Sequence, residues 1–273
     1  MVVGSIQIFS IGPQDFYLTG NPQITFFKSV FRIHTRFASK TERIYFNGED
    51  PVLGSKNIIA NIKNEGDLLG DIFIRADITA TCSGGDRYTI NNFGNNLIKK
   101  VEFLIGKNVI DTHISPWFQI YDELNNKNYE NLVQNSSDTN GGKKTTISNT
   151  DTFTAKQRIK GDNPLFFSGS GTYTKRIYIP LNFWFNNTTG MYLPVVSLYK
   201  HKIELNFDLE NSSVLIGDST NLSNMSVDFQ VYGNYISLDE DEKRKFTQSN
   251  HEYIIEQVQM NDGETGVTTP SSV

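Results

Sequence analysis

From residue 41 onward, apolar and polar residues alternate in short runs that Gly, Asn and Asp interrupt. Such alternation is typical of β-strands with one face in a core and the other in water. Eight runs have this character: Glu42–Phe46, Ser55–Lys63, Asp71–Thr81, Lys99–Ile105, Asn108–His113, Lys175–Leu181, His201–Leu209 and Ser226–Ile236. Eight short strands predict an all-β protein folded as a two-sheet sandwich.

Two segments in the connections show helical spacing instead. Ser115 and Pro116 suit the start of a helix, and the apolar residues after them recur every three or four positions: Trp117, Ile120, Tyr121 and Leu124. A second helix is predicted from Asp239 to about Phe246, with Ser237 and Glu240 as an S-x-x-E capping box. We interpret this second helix as a linker between domains.

The N-terminal segment is predicted to form an amphipathic helix from Pro22 to about His34, with Asn21 as its N-cap. One face would be apolar, with Phe27, Val30 and Phe31, and another basic, with Lys28, Arg32 and Arg36. An apolar stripe left in water favours aggregation. We therefore expect this segment to dock against another surface.

Between Asn125 and Ser170 the chain is rich in Asn, Ser, Thr and Gly and has little periodicity, which predicts a long surface loop. Asn135 in this loop is the better candidate for glycosylation among the N-x-S/T sequons. The others are at Asn186, Asn187, Asn211, Asn221 and Asn224. A chain of this composition produces such triplets by chance, so the motif is weak.

Length and charge narrow the classes of function. The 273 residues suit one large or two small domains, and the 37% of hydrophobic residues suffice for a core. The net charge of −5 argues against general nucleic-acid binding, apart from a basic stretch between residues 28 and 43. Cys82 is alone, which suits a reducing compartment such as the cytoplasm. Neither a membrane-spanning run nor a signal peptide is recognisable, so export by the usual route is not expected.

No catalytic, cofactor-binding or metal-binding constellation is predicted. His34, His113, His201 and His251 lie far apart and lack metal-ligand spacing. The run Gly141–Thr145 lacks the upstream Gly of a phosphate loop and has Lys144 where Ser or Thr would reach magnesium. The acidic run Asp239–Glu242 lacks the spaced oxygen ligands of a calcium loop.

Three separated motifs resemble the major capsid proteins of nucleocytoplasmic large DNA viruses. The first comprises Asp15, Tyr17, Leu18, Thr19, Gly20, Asn21, Pro22, Phe26, Phe27, Lys28, Arg32 and His34. The second comprises Pro180, Phe183, Trp184, Phe185, Asn186, Gly190, Leu193 and Pro194. The third is the segment from Ser237 to Gln259, which is similar to the family's connection from a first jelly roll into a second.

The resemblance implies a jelly-roll sandwich of the viral capsid type and a structural role without catalysis. It implies self-assembly into capsomers, by resemblance homotrimers, of an icosahedral shell. It also implies contacts with other capsid proteins and with minor capsid proteins or an internal viral membrane, and none with specific nucleic acid. The expected location is the virion capsid, assembled in the host cytoplasm.

The domain organisation predicted from these motifs has four parts. Residues 1–40 would be an N-terminal docking segment, 41–236 a first jelly roll, 237–250 a linker helix, and 251–273 the start of a truncated second jelly roll. Within the last part, Tyr253–Gln259 is predicted to be a strand without sheet partners in the first sandwich.

Two functions of other classes remain open at this point. A carbohydrate-binding, lectin-like jelly roll would use exposed loop aromatics, for which Trp184, Phe185 and Tyr192 are candidates. A cupin-type enzyme would need clustered His and acidic ligands that the predicted strands do not offer.

Overall fold

The computed structural model describes residues 12–13, 17, 19–29, 33–125, 165–216 and 222–260. The chain divides into two compact units, an N-terminal unit (Met1–Thr35) and a sandwich unit (Arg36–Val273). Each is described by itself.

The sandwich unit contains the eight predicted strands, which are all confirmed. They are β1 (Phe37–Ile44), β2 (Ile58–Ile62), β3 (Leu68–Tyr88), β4 (Ile98–Ile105), β5 (Asn108–Ile114), β6 (Phe166–Pro180), β7 (Ile203–Leu209) and β8 (Leu222–Leu238). β6 begins before its predicted first residue, Lys175, because Thr174 and Thr172 continue the ladder opposite Thr79 and Thr81 of β3. Thr suits a strand even where apolar alternation fades.

The strands form two four-stranded sheets, sheet A in the order β1-β8-β3-β6 and sheet B in the order β2-β7-β4-β5. Within them β1 pairs with β8, β2 with β7, β3 with β6 and β4 with β5, all antiparallel. This nested pairing is that of one long hairpin rolled into two sheets, which is a jelly roll. The predicted fold class is therefore confirmed.

The core lies between the two sheets, where the alternating apolar residues meet. Along β8, Met225, Val227, Phe229 and Val231 are buried, and the residues between them are at least partly exposed. Phe229 of sheet A meets Phe207 of sheet B edge to face, with ring centroids 5.5 Å apart. Contacts of this kind hold the two layers together.

The turn between β4 and β5 follows the backbone rule for a two-residue hairpin. Gly106 and Lys107 have φ angles of +58° and +71°. Positive φ at both central residues is the signature of a type I′ turn, whose twist matches that of the strands. The Gly-Lys pair thus forms the two-residue loop between Ile105 and Asn108, which pair with each other.

Four helices lie in the described connections: α1 (Phe93–Leu97), α2 (Ser115–Asn125), α3 (Ser212–Ile216) and α4 (Glu240–Gln248). The helices predicted after Ser115 and from Asp239 are confirmed as α2 and α4. The five-residue helices α1 and α3 are too short for a periodic pattern to reveal them.

The capping box predicted for α4 is wrong. Asp239 is the N-cap, and it makes no side-chain capping bond. Ser237 instead remains in β8, where it pairs with Ala38 of β1. The sheet thus holds the backbone of Ser237 extended and places this residue ahead of the cap.

The helix predicted from Pro22 is also wrong. Residues 22–29 and 33–34 contain no helix, and Asn21 has a φ of +50° instead of the extended backbone of an N-cap. Ile24, Thr25, Phe26 and Phe27 are β-branched or aromatic, and such residues lose side-chain freedom in a helix. The helical spacing of the apolar residues therefore did not offset the low helix propensity of these four residues.

The prediction of a strand at Tyr253–Gln259 is likewise wrong. Residues 251–260 form no strand. The segment nevertheless contacts β5. The side-chain amide of Gln257 donates to the carbonyl of Ile110 at 2.5 Å, and the Val258 N–H donates to Oδ1 of Asp111 at 3.1 Å. These two bonds involve side chains, so they build no backbone ladder.

Candidate functional site

The second motif lies in the connection after β6, which we call the aromatic turn (residues 181–187). Pro180 ends β6, and the Leu181 N–H donates to the carbonyl of Ile72 at 2.9 Å. A 3₁₀ turn then spans Trp184–Asn186, closed by the Asn186 N–H on the carbonyl of Phe183 at 2.9 Å. The turn folds three consecutive aromatic residues back onto the sandwich.

All three aromatic side chains of the turn are buried. Phe183 and Phe185 are fully covered and Trp184 is 5% exposed. The ring of Phe103 on β4 lies at their centre, with centroid distances of 5.6 Å to Phe183, 5.2 Å to Trp184 and 5.1 Å to Phe185. A buried Trp184 or Phe185 offers no platform to a sugar.

A buried polar pair lies directly beneath the aromatic turn. The His113 ring stacks on Phe183 at 4.5 Å and meets Phe118 edge to face at 6.0 Å. Its Nε2 lies 3.0 Å from Oδ2 of Asp111, and both side chains are 1% exposed. Nδ1 of His113 is buried without a hydrogen-bond partner among the described residues. The strand β5 thus brings a carboxylate and an imidazole into the apolar end of the sandwich.

The remaining residues of this motif shape the backbone around the turn. The Asn186 amide donates to the carbonyl of Gly70 at 3.2 Å, which ties the turn to β3. Leu193 exchanges two backbone hydrogen bonds of 2.8 Å with Leu69, and both Leu193 and Pro194 are buried. Gly190 is exposed and has open space where a Cβ would be. Asn186, Leu193 and Pro194 therefore have structural roles in this region.

The N-terminal motif presents its aromatic residues outward. Tyr17 is 86% exposed, Phe26 91% and Phe27 97%. The backbone turns at Phe26 and Phe27, and the Phe27 N–H donates to Oγ1 of Thr25 at 3.3 Å. The other described members of the motif, Thr19, Gly20, Asn21, Pro22, Lys28 and His34, belong to the same unit. Asp15, Leu18, Arg32 and the sequon Asn135 lie outside the described residues.

Sequence reasoning missed an ordered patch on the outer face of sheet A. The rings of Phe73 and Tyr232 stack at 5.5 Å, and Tyr178 lies 6.3 Å from Phe73. Next to them, Arg176 donates to both oxygens of Asp77, at 2.6 and 3.0 Å. These hydrogen bonds from Arg176 hold the pKa of Asp77 below its usual value. The sequence feature that points to this patch is the set of partly exposed residues on β3 that alternate with its buried residues.

A second polar contact anchors α4 to the sandwich. Nζ of Lys243 lies 2.9 Å from Oδ1 of Asp67, and this hydrogen bond raises the pKa of Lys243. Oδ2 of Asp67 accepts the Leu238 N–H at 2.9 Å. An open cleft of about 680 Å³ lies beside these groups, with Tyr199 and Thr247 in its wall. Both carboxylate oxygens of Asp67 are already bonded within the protein.

The part of the chain that the structure describes also lacks two kinds of feature. In it, no group of three or more His, Cys, Asp or Glu side chains could hold a metal ion. No helix there has the length and apolar character needed to cross a membrane.

Comparison with known proteins gives one family. The family model described as the N-terminus of the major capsid protein matches residues 25–239. The major capsid protein of Pyramimonas orientalis virus is 36% identical over 96% of this chain and 60% of its own length. That of Paramecium bursaria Chlorella virus 1 is 34% identical over 100% of this chain and 56% of its own length. The chain therefore spans little more than half of these relatives.

Solved structures agree with the sequence comparison. The crystal structure of PBCV-1 VP54, fitted into a reconstruction of the virophage Sputnik, is 30% identical with a TM-score of 0.60. The match covers 86% of this chain and 50% of VP54. A quasi-atomic model of the PBCV-1 virus capsid gives 29% identity and a TM-score of 0.59, with the same coverage.

Proposed function

Because the chain belongs to the major capsid protein family of large DNA viruses, we propose that it is a structural subunit of an icosahedral capsid. It works by burying surface against copies of itself and against other capsid proteins. The family match weighs against the carbohydrate-binding alternative, and the burial of Trp184 and Phe185 removes the proposed sugar platform.

One observation carries this proposal. The residues that the family model matches, 25–239, contain the eight strands that build the jelly roll. A sandwich of this kind offers two broad sheet faces and rigid edges, on which association can take place without a catalytic group. The ordered aromatic and arginine patch on sheet A has the composition that interfaces favour.

We also propose how the subunits assemble. The subunits form a homotrimer, and the N-terminal segment docks on minor capsid proteins or an internal viral membrane. The exposed Phe26 and Phe27 support this role, because large apolar side chains in water favour burial against a partner. The protein is located in the virion capsid, is assembled in the host cytoplasm and has no enzymatic activity.

We further propose the four-part organisation of a docking segment (1–40), whose last four residues already belong to β1, a jelly roll (41–236) and a linker (237–250) that contains α4. Residues 251–273 lead toward a second sandwich. The greater length of the relatives supports this organisation.

The experiment is a measurement of mass in solution by light scattering at micromolar concentration. We expect a trimer for the unaltered protein and a shift toward monomer for Phe26→Ser combined with Phe27→Ser. The matched control is Tyr199→Ser, which changes an aromatic residue of the sandwich unit that is 66% exposed and should leave the mass unchanged. A stable monomer of the unaltered protein contradicts the proposed trimer.

A further inference from the structure

The segment after α4 runs along the outer edge of sheet B, and we call it the strap (residues 251–258). β5 is the last strand of this sheet among the described residues, so its outer backbone groups have no strand partner there. Exposed strand edges invite pairing with other chains, and natural proteins cover them. The strap lies where such a cover is needed.

The strap is held at both ends. At its start, the His251 ring stacks on Phe246 of α4 at 5.0 Å, and its Nε2 lies 2.8 Å from the carbonyl oxygen of Phe246. At its end, Gln257 donates to the carbonyl of Ile110, and the Val258 N–H donates to Asp111. Between these ends, the Glu256 charge contributes to a raised pKa of Tyr121 on α2, second to burial. The strap therefore passes next to α2 as well as β5.

Asp111 differs from the other contacts of the strap because its side chain is buried. Oδ1 accepts two backbone N–H groups, from Thr112 at 2.9 Å and from Val258 at 3.1 Å. Oδ2 faces Nε2 of His113, which the aromatic turn holds by stacking. A buried acidic side chain needs hydrogen-bond donors, and the two backbone N–H groups on Oδ1 supply them. The strap supplies one of them.

The strap itself contributes little apolar burial. Ile254 is 64% exposed and Ile255 46% exposed, and Tyr253 and Val258 are only partly buried. Its attachment therefore depends on a few polar contacts, and a segment with few buried contacts opens at low free energy. The strap can therefore detach from the edge of β5 and rebind without unfolding of the rest of the protein.

We propose that the strap is an openable cover of the β5 edge and that Asp111 is its latch. Opening exposes the outer backbone groups of β5 while the sandwich core stays folded. This inference does not depend on the capsid proposal, because it concerns a contact within one chain.

The test is hydrogen–deuterium exchange of the whole protein, read for peptides of the strap and of β5. In the unaltered protein we expect the amide of Val258 to be protected. Asp111→Ala should speed its exchange about tenfold or more, as expected for the loss of a bond to a charged acceptor. Gln257→Ala should also speed exchange in the strap, although this side chain is exposed and its removal leaves the core intact.

The matched control is Asp228→Ala, which removes an exposed carboxylate on sheet A and should leave strap exchange unchanged. Peptides from β4 and β7 report whether a variant remains folded. If β4 and β7 unfold in Asp111→Ala, the strap is tested by Gln257→Ala instead. An unprotected Val258 in the unaltered protein, or strap exchange within about twofold of it in both variants, overturns the latch.

Discussion

Asp77 and Arg176 show how single residues order the outer face of sheet A. Asp77 lies in the middle strand β3, where its side chain is 13% exposed, and Arg176 on β6 donates two hydrogen bonds to it. The bonds favour the ionised form, so the pKa of Asp77 lies below its ordinary value of 3.8. The pair therefore stabilises the fold when Asp77 is ionised.

Arg176→Gln should lower the free energy of unfolding at pH 7 by a small amount, because water reaches the arginine and screens the ion pair. A depressed folded pKa gives stability that is present above the unfolded value of 3.8 and is lost as the pH falls through the folded pKa. The difference between the variant and the unaltered protein should thus shrink below pH 3.8. Urea unfolding at pH 7 and in acid measures both differences.

The control for this comparison is Arg244→Gln on α4, whose pairing with Glu240 is exposed at 64% and 70%. We expect its effect to be small at every pH. A pH-independent loss in Arg176→Gln would show that packing of the arginine stem, and not the charge on Asp77, accounts for its contribution.

Among the elements, the aromatic turn combines a motif with a packing role. Its three rings fill one region around Phe103, and the stacked His113 continues that region toward β5. Removing a ring of this size leaves a cavity that the surrounding strands cannot close. The turn is thus a part of the core that lies outside the strands.

Trp184→Ala should lower the free energy of unfolding by about 3–5 kcal/mol, the range for a large aromatic side chain in a core. Thermal and urea unfolding measure it. Tyr199→Ala is the control, because Tyr199 is an aromatic residue that is 66% exposed, and we expect little change. An unchanged melting temperature in Trp184→Ala would contradict the anchoring role of the turn.

The strands were predictable from the sequence because each alternates between core and water, as Val227, Phe229 and Val231 do. Their pairing order was not readable from alternation, since β1 pairs with β8 across the whole domain. That order came only from the resemblance to capsid proteins. The helix at Pro22 failed because its spacing conflicts with the low helix propensity of Ile24 and Thr25.

The functional contacts were harder to predict than the fold. Asp111 and His113 are two residues apart on one strand, and in the sequence His113 looked like an isolated histidine. Only the packing of the aromatic turn shows that both side chains are buried together. The strap contact depends on residues 257 and 258 meeting residues 110 and 111, and no local pattern encodes such a distant pairing.

At the scale of the whole molecule, the two units differ in how far their apolar side chains are buried. In the described part of the chain, every buried hydrophobic residue lies between Ile44 and Ile236, within the sandwich unit. The large apolar side chains described in the N-terminal unit, such as Phe26 and Ile33, are exposed. The sandwich core therefore takes its apolar residues from its own strands and connections.

Deletion of residues 1–35 should leave a folded sandwich with near-unchanged circular dichroism and melting temperature. The reason is that, among the described residues, the buried core contains none from this segment. The same sample should lose self-association if the N-terminal segment mediates assembly. Circular dichroism and light scattering of one preparation measure the two properties separately, and loss of the β signal would contradict independent folding.

The pairing of β1 with β8 has a consequence for how the protein is made. Ile44 finds its partner in Val231, so the first strand cannot complete its ladder until nearly the last strand has left the ribosome. At about 5–20 residues per second, this wait is on the order of ten to forty seconds. During that time β1 and β2 remain unpaired, and non-local pairing of this kind also folds slowly. Newly made chains therefore expose unpaired strand edges before the sandwich closes, and such chains are prone to aggregate.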